Sequence, residues 1–300
     1  MANTNLNLPY RSQIDYTNAA QDSVANVKSP GYFNSLAPQL KAGYRIFDLY
    51  NNALFKVVSA SAPVSVVQIF GDAASGPLVL PGVFAYFDAE PKNINAGSPN
   101  DGVGVASWAD LSNNNYTMTQ ATAINQPLWR QNAILGLPAV EFTGGSCGMN
   151  NSTPIIAQPM TVYLLARYKA LIANAPLYDA SGSARSLMRL TGAAPFQFQI
   201  FSGALAGTIA ADTNWHVFTT VHNGAASSIQ IDMHGAFSGG YQTGLAPGPA
   251  GIQNITLGFQ SILNSGSQSL IAKAAFCSGA HTPEQQLPII SNFMAAAGLR

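Results

Sequence analysis

Charge is what this chain has least of. Asp, Glu, Lys and Arg make up 9% of its 300 residues, against roughly 25% in an ordinary soluble domain. Lys+Arg and Asp+Glu balance at 13 each, so there is no basic field to attract nucleic acid. No run of like charge marks a solvated tail. So few charges leave the surface to Asn, Gln, Ser, Thr, Gly and Ala, and leave little to hold bare monomers apart. The chain is therefore expected to hide surface in a homo-oligomer. Cysteine is nearly absent too. Cys147 and Cys277 are the only two, too few for a disulfide framework. Two buried free thiols are expected, with a single bridge as the alternative. The apolar stretches fall short of the ~20 residues of a membrane helix. The opening MANTNLNLPYRSQ has neither a charged nor an apolar signal region, so the expected site of synthesis is a cytoplasm, without export. Phosphate loops, a nucleophile elbow and CxxC pairs are all missing.

What the chain has is apolar residues, at 47%, arranged with a period of two. The clearest stretch is Trp215 to Gly235. Trp215, Val217, Thr219 and Val221 alternate with His216, Phe218, Thr220 and His222. Asn223-Gly224 then breaks the run, and Ile229, Ile231 and Met233 alternate with Gln230, Asp232 and His234. This pattern predicts a hairpin with one face on a core and the other on a second layer or solvent. More short strands read the same way, among them Phe84–Ala89, Tyr116–Gln120, Leu137–Phe142, Met160–Arg167, Phe196–Phe201, Ile252–Gly258 and Leu270–Cys277. At least ten, punctuated by turns, predict a two-sheet sandwich. The end changes type. Thr282 as N-cap, Pro283 at N1 and Glu284 in the first turn open a helix whose apolar face is Leu287, Ile290, Phe293 and Met294. Pro288 is expected within its first turn and Gly298 at its close.

The chain in order is expected to be an irregular arm at 1–29, a small module at 30–70 with three strands, a Gly/Pro-rich linker at 71–82, and the sandwich at 83–300. The segment PGYFN...LKAGYRIFDLYNNALFKVVSASAPVSVVQI resembles the small β module of tailed-phage virion proteins of the capsid-decoration or head-fibre type. Tyr44 stands where that module usually has Asp, and Asn51-Asn52 replaces its usual Asp-Gly. FAYFDAE, SWADLSNNN, LGLPAVEFTGG, MTVYLLAR, WHVFTTVHNG, IQIDMHG and the final HTPEQQ...FMAAAG resemble the concanavalin A-like lectin/glucanase fold in its laminin G-like form. The fold expected is all-β: a small N-terminal β module, then a concanavalin A-like jelly-roll sandwich with one C-terminal helix.

The resemblance implies a virion protein displayed on the capsid surface, as a symmetric homo-oligomer such as a trimer, since shells present such axes. It would dock on the major capsid protein or another virion protein through Tyr32, Phe33, Tyr44 and Phe47. The alternative is a tail-fibre adhesin for a host surface glycan, with a glycosidase third. Hydrolases of the resembled fold usually carry Glu-x-Asp-x-(x)-Glu on one strand, and no such segment occurs, so no catalytic residue is assigned and the chain is expected not to be an enzyme. Asp88 and Glu90 are the nearest thing to paired carboxylates, at a strand end before Pro91. Trp108, Tyr116 and Trp129 are the candidate sugar-stacking aromatics, with core packing as their other reading. His216 and His222 lie roughly 20 Å apart along one strand and cannot share a metal. His222 and His234 could meet across the hairpin. No cofactor is assigned. Calcium is the one candidate, with oxygens offered by Asn95, Asn100, Asp101, Asp110, Asn113 and Asn114.

Overall fold

The computed structural model describes the strand backbones 45–48, 53–59 and 65–70 and residues 80–97, 99–232, 240–260 and 265–297. The chain divides into two compact units, Met1–Leu78 and Val79–Arg300. The first contains β1 (Arg45–Asp48), β2 (Ala53–Ser59) and β3 (Ser65–Phe70), paired antiparallel in that order. Arg45 lies opposite Lys56, and Val57 opposite Val66. The expected arm at 1–29 and the contact residues Tyr32, Phe33 and Tyr44 lie outside the described residues. Phe47 is in β1, of which only the backbone is described.

The second unit runs through β4 (Val83–Asp88), β5 (Ser107–Trp108), β6 (Met118–Thr119), β7 (Leu128–Ile134), β8 (Leu137–Thr143), β9 (Met149–Asn150), β10 (Met160–Tyr168), β11 (Pro176–Ala180) and β12 (Leu187–Leu190). It continues through β13 (Gln197–Phe201), β14 (Leu205–Ala210), β15 (His216–His222), β16 (Ser227–Ile231), β17 (Tyr241–Leu245), β18 (Ile255–Leu257), β19 (Phe259–Gln260), β20 (Ser265–Gly266) and β21 (Gln268–Ser278), and ends in helix α1 (Pro283–Ala296). Two eight-stranded antiparallel sheets form the sandwich. In the first, the order is β17-β16-β15-β10-β21-β8-β7, with β4 also on β21. In the second it is β14-β13-β12-β11-β18-β9-β6-β5. This is the all-β sandwich with one terminal helix that the alternation predicts.

The alternation also decides what each face does. Along β13, Phe198 and Ile200 enter the core while Gln197 and Gln199 face out. β10 and β15 are buried on both faces. One face packs on the second sheet through Val162, Leu164 and Phe218. The other lies under α1, which packs on β15 and β10 and buries Leu287, Ile290, Phe293 and Met294. The second layer expected over the 215–235 hairpin is thus the C-terminal helix. Gln285 Oε1 accepts from Thr282 N at 2.9 Å and closes the helix start. Pro288 is further in than expected. It lies inside the helix, past the free N–H groups of the first turn, where one i→i−4 bond is forgone. Gly298 lies outside the described residues. Cys147 and Cys277 are both buried free thiols, and burial pushes the Cys277 thiol up to about 12.

Candidate functional site

A polar cleft sits on the outward face of the first sheet. It measures about 530 Å³ and is lined by Asp101, Arg130, Asn132, Glu141, Lys169 and Leu270 among others. Its floor follows from strand alternation. Val140 and Phe142 of β8 enter the core, so Glu141 between them points out. Trp129 of β7 enters the core, so Arg130 points out. Leu128 of β7 and Leu270 of β21 flank Glu141 on the ladder. Lys169 follows the inward Tyr168 at the end of β10. Asp101 comes from a loop that runs along β7: Gly102 N donates to Trp129 O at 2.8 Å, and Trp129 N donates to Val103 O at 2.9 Å.

The electrostatics of this floor centre on Glu141, whose side chain is 6% exposed. It takes the Nε–H of Arg130 on one oxygen and the Nζ–H of Lys169 on the other. Burial alone would push its carboxyl up. The hydrogen bonds and charges of Lys169 and Arg130 outweigh burial and hold it below the usual carboxylate range. Arg130 Nη1 also lies 3.8 Å from Asp101 Oδ2. One guanidinium therefore spans two carboxylates. That holds two carboxylates at one cleft, the residue type that paired-carboxylate hydrolysis uses. Two carboxylates, two cations and the amides of Gln131 and Asn132 give donors and acceptors for a ligand rich in hydroxyls.

Of the residues singled out from the sequence, Asp101 lines the cleft; the other described candidates lie elsewhere, and most are tied up in the fold. Trp108 is fully buried and Trp129 nearly so, which removes both as stacking platforms. Their indole N–H groups brace the end of β4, Trp108 donating to Asp88 O at 2.9 Å and Trp129 to Ala89 O at 2.8 Å. Of the two readings of these indoles, sugar stacking or core packing, the structure shows core packing. Tyr116 is half-buried against the core. Asp88 is paired with Lys273 across the β4–β21 ladder and accepts from Glu90 N at 3.2 Å, so Asp88 and Glu90 form no free pair. Among the calcium candidates, Asn95 Oδ1 accepts the backbone N–H groups of Ala106 and Ser107, and the Asp110 carboxylate is likewise taken up by backbone donors. Asp110 takes Tyr86 N and Tyr116 N at 2.9 and 2.8 Å. Asp101 accepts Gln131 N at 2.9 Å. No group of three His, Cys, Asp or Glu side chains that could hold a metal occurs among the described residues.

The histidines separate as expected, but into two unforeseen settings. His216 lies between Asp232 on Nδ1 and Asp212, 2.8 Å from Nε2. Burial would push its pKa down, but the two carboxylates prevail and raise it. His222 is fully buried between the sheets. Its Nε2 is 2.6 Å from Tyr178 Oη and its Nδ1 is 2.7 Å from Ser202 Oγ. Tyr178 Oη meets Thr220 Oγ1 at 2.7 Å, and Ser202 Oγ meets Ser186 Oγ at 2.6 Å. Ser186 donates to Ala250 O at 2.8 Å, which fixes every proton in the chain. Ser186 has spent its hydrogen, so Ser202 donates to it. Ser202 then accepts from His222 Nδ1–H. The bare Nε2 accepts from Tyr178, and Tyr178 accepts from Thr220. With no carboxylate in the relay, burial dominates and drives the His222 pKa down to about 3. His234 lies outside the described residues.

No protein-family model and no curated protein matches the sequence. Solved structures do. A GH54 α-L-arabinofuranosidase is similar over 65% of this chain and 51% of its own, at 14% identity and TM-score 0.50. An arabinofuranosidase complexed with arabinofuranosyl-α-1,2-xylobiose covers the same shares at 15% identity and TM-score 0.48. Domain 4 of AbnA, a GH43 extracellular arabinanase from Geobacillus stearothermophilus in complex with arabinotriose, is similar over 64% of this chain and all of its own, at 14% identity and TM-score 0.43. The chain spans about half the length of the first of these. At such identities the likeness is one of fold. It corrects one expectation. The absent Glu-x-Asp-x-(x)-Glu strand pointed away from an enzyme, yet the fold is one that a glycoside-cleaving chain carries. A missing motif is therefore no ground for excluding hydrolysis here.

Proposed function

We propose that the sandwich unit engages carbohydrate in the cleft of Asp101, Arg130, Glu141 and Lys169. One observation carries this reading: a nearly buried carboxylate, held ionised by two cations at the floor of an open cleft, with a second carboxylate on the same guanidinium. Sugar hydroxyls are both donors and acceptors, and charged partners bind them more strongly than neutral ones. The fold shared with an α-L-arabinofuranosidase makes pentose-containing glycans the first probes. If the cleft also turns over its ligand, Glu141 has the ionised state of a nucleophile or charge stabiliser rather than of a proton donor. The test is calorimetry and product analysis with a panel of oligosaccharides. Lys169→Ala is expected to weaken binding, and Asp101→Asn with Glu141→Gln to abolish any turnover. Binding indifferent to all three substitutions refutes the assignment.

We propose further that the unit up to Leu78 is an anchor that carries this body on a virion. The support is the division of the chain at Leu78/Val79, together with the module-like sequence at 30–70 and the scarcity of charge. A capsid-decoration or head-fibre position and a trimeric assembly both suit it, as does a tail-fibre adhesin. Saturable uptake by undecorated shells that requires residues 1–82 is the expected result. Absence of uptake counts against the anchor without touching the cleft.

A further inference from the structure

The outward face of the second sheet carries a cluster that neither the cleft nor the core explains. Tyr178 and Ala180 of β11 enter the core, so Asp179 points out. Met188 and Leu190 of β12 enter the core, so Arg189 points out, opposite Gln199. Asp179 is nevertheless fully buried. Arg185 covers it in a two-pronged ion pair, Nε to Oδ1 and Nη2 to Oδ2, both at 2.8 Å. Ala180 N adds a third bond to Oδ1 at 2.7 Å. The Arg185 guanidinium lies 5.3 Å over the Phe201 ring. Asp179 thus takes three hydrogen bonds, none of them from Arg189. Arg189 is left over: its Nε is buried and has no hydrogen-bond partner. Two guanidiniums face one carboxylate, an excess of one positive charge in a chain with only 13 basic residues. A buried donor without a partner is unfavourable, and a guanidinium suits a planar or tetrahedral oxyanion best.

We propose that Arg189, with Arg185 fixed beside it by Asp179, forms an oxyanion subsite on this face, for the carboxylate, sulfate or phosphate group of a ligand lying across the sheet. Burial and the neighbouring Arg185 charge both press Arg189 toward losing its proton, against the pull of Asp179. An arriving anion relieves that pressure. The subsite is separate from the cleft and does not rest on it.

The test uses the full chain with D-glucuronate, D-glucose and sodium sulfate as probes, read by the side-chain Nε–H resonances of arginine and by calorimetry. Glucuronate is expected to shift the Arg189 Nε–H signal while glucose leaves it in place. Arg189→Gln is expected to weaken binding by roughly tenfold or more. Arg189→Lys, which keeps the charge and loses the fork, is expected to fall between. A response to sulfate as strong as that to glucuronate, both dependent on Arg189, supports the subsite for small anions. Dependence on glucuronate alone supports an acidic sugar. Binding of neither, or binding that survives Arg189→Gln, overturns the proposal. So does an anion response that disappears in Lys169→Ala, which assigns it to the cleft.

Discussion

Mild acid should weaken this sandwich through one buried side chain, His222. Native His222 accepts a proton only near pH 3. In the unfolded chain an imidazole does so near its ordinary 6.5. Below pH 6.5 the unfolded state therefore binds the extra proton, and stability falls as pH falls. The slope is about 1.36 kcal/mol per pH unit. Between pH 6.5 and 5 the loss is about 2 kcal/mol, and by pH 3 about 4 kcal/mol, a large part of the 5–15 kcal/mol that holds a typical domain. The groups facing His222 are the hydroxyls of Tyr178 and Ser202 and the Tyr178 ring edge. None can stabilise an imidazolium as a carboxylate would. His281, whose pKa burial also lowers, acts in the same sense. His216, raised by its two Asp partners, acts in the opposite sense: its contribution is full below 6.5 and is lost as pH rises past its folded value. The assay is urea unfolding at steps from pH 7 to 4.5, comparing the native chain with His222→Asn. The variant is less stable throughout, but the difference between the two curves should shrink by about 2 kcal/mol from pH 6.5 to 5. A constant difference, or an NMR titration of His222 with a midpoint above pH 5.5 in the folded chain, refutes the reasoning.

The same relay predicts that long-range nitrogen–proton NMR will show His222 protonated on Nδ1, because Ser186 gives its hydrogen to Ala250 O and sets the direction of each bond. Arg185→Ala should cost about 3–5 kcal/mol, since it strands a fully buried Asp179 carboxylate; chemical denaturation measures it, and a loss under 1 kcal/mol would contradict the pairing. Glu141→Gln should cost less, about 2 kcal/mol, because Arg130 and Lys169 are 34% and 46% exposed and water takes up their charge. Glu141 adds stability above the ordinary carboxylate range that is lost as pH falls through its lowered value, so the gap between this variant and the native chain should close in acid. Gly258→Ala should cost at least about 3 kcal/mol. Gly258 has φ +71°, and an added Cβ would stand 2.1 Å from Phe142 Cδ1, on a ring with no room to move.

The sequence by itself determined the sandwich and its helix. Period-two patterning is a local property, legible in a strand such as Phe196–Phe201 because every second side chain must leave water. The helix at Thr282-Pro283-Glu284 was equally legible, since caps act within one turn. What the tertiary structure alone decided is which polar side chains meet. Asp101, Arg130, Glu141 and Lys169 come from a loop, two neighbouring strands and the end of a third, and no spacing in the chain links them. Glu141 and Arg130 could have been marked only as charges at outward positions between Val140 and Phe142 and beside Trp129. The aromatic candidates failed for a related reason: exposure depends on where a loop folds back, and Trp108 and Trp129 are covered by segments distant in sequence. His222 stood in the sequence only as a residue able to meet His234 across the hairpin. It proved to be a core residue, because Tyr178 of β11 and Ser202 just after β13, both from the facing sheet, supply hydroxyls at its two nitrogens. Hydrophobic periodicity is read within a few residues, whereas charge and hydrogen-bond complementarity exist only between atoms that the completed fold brings within about 3 Å.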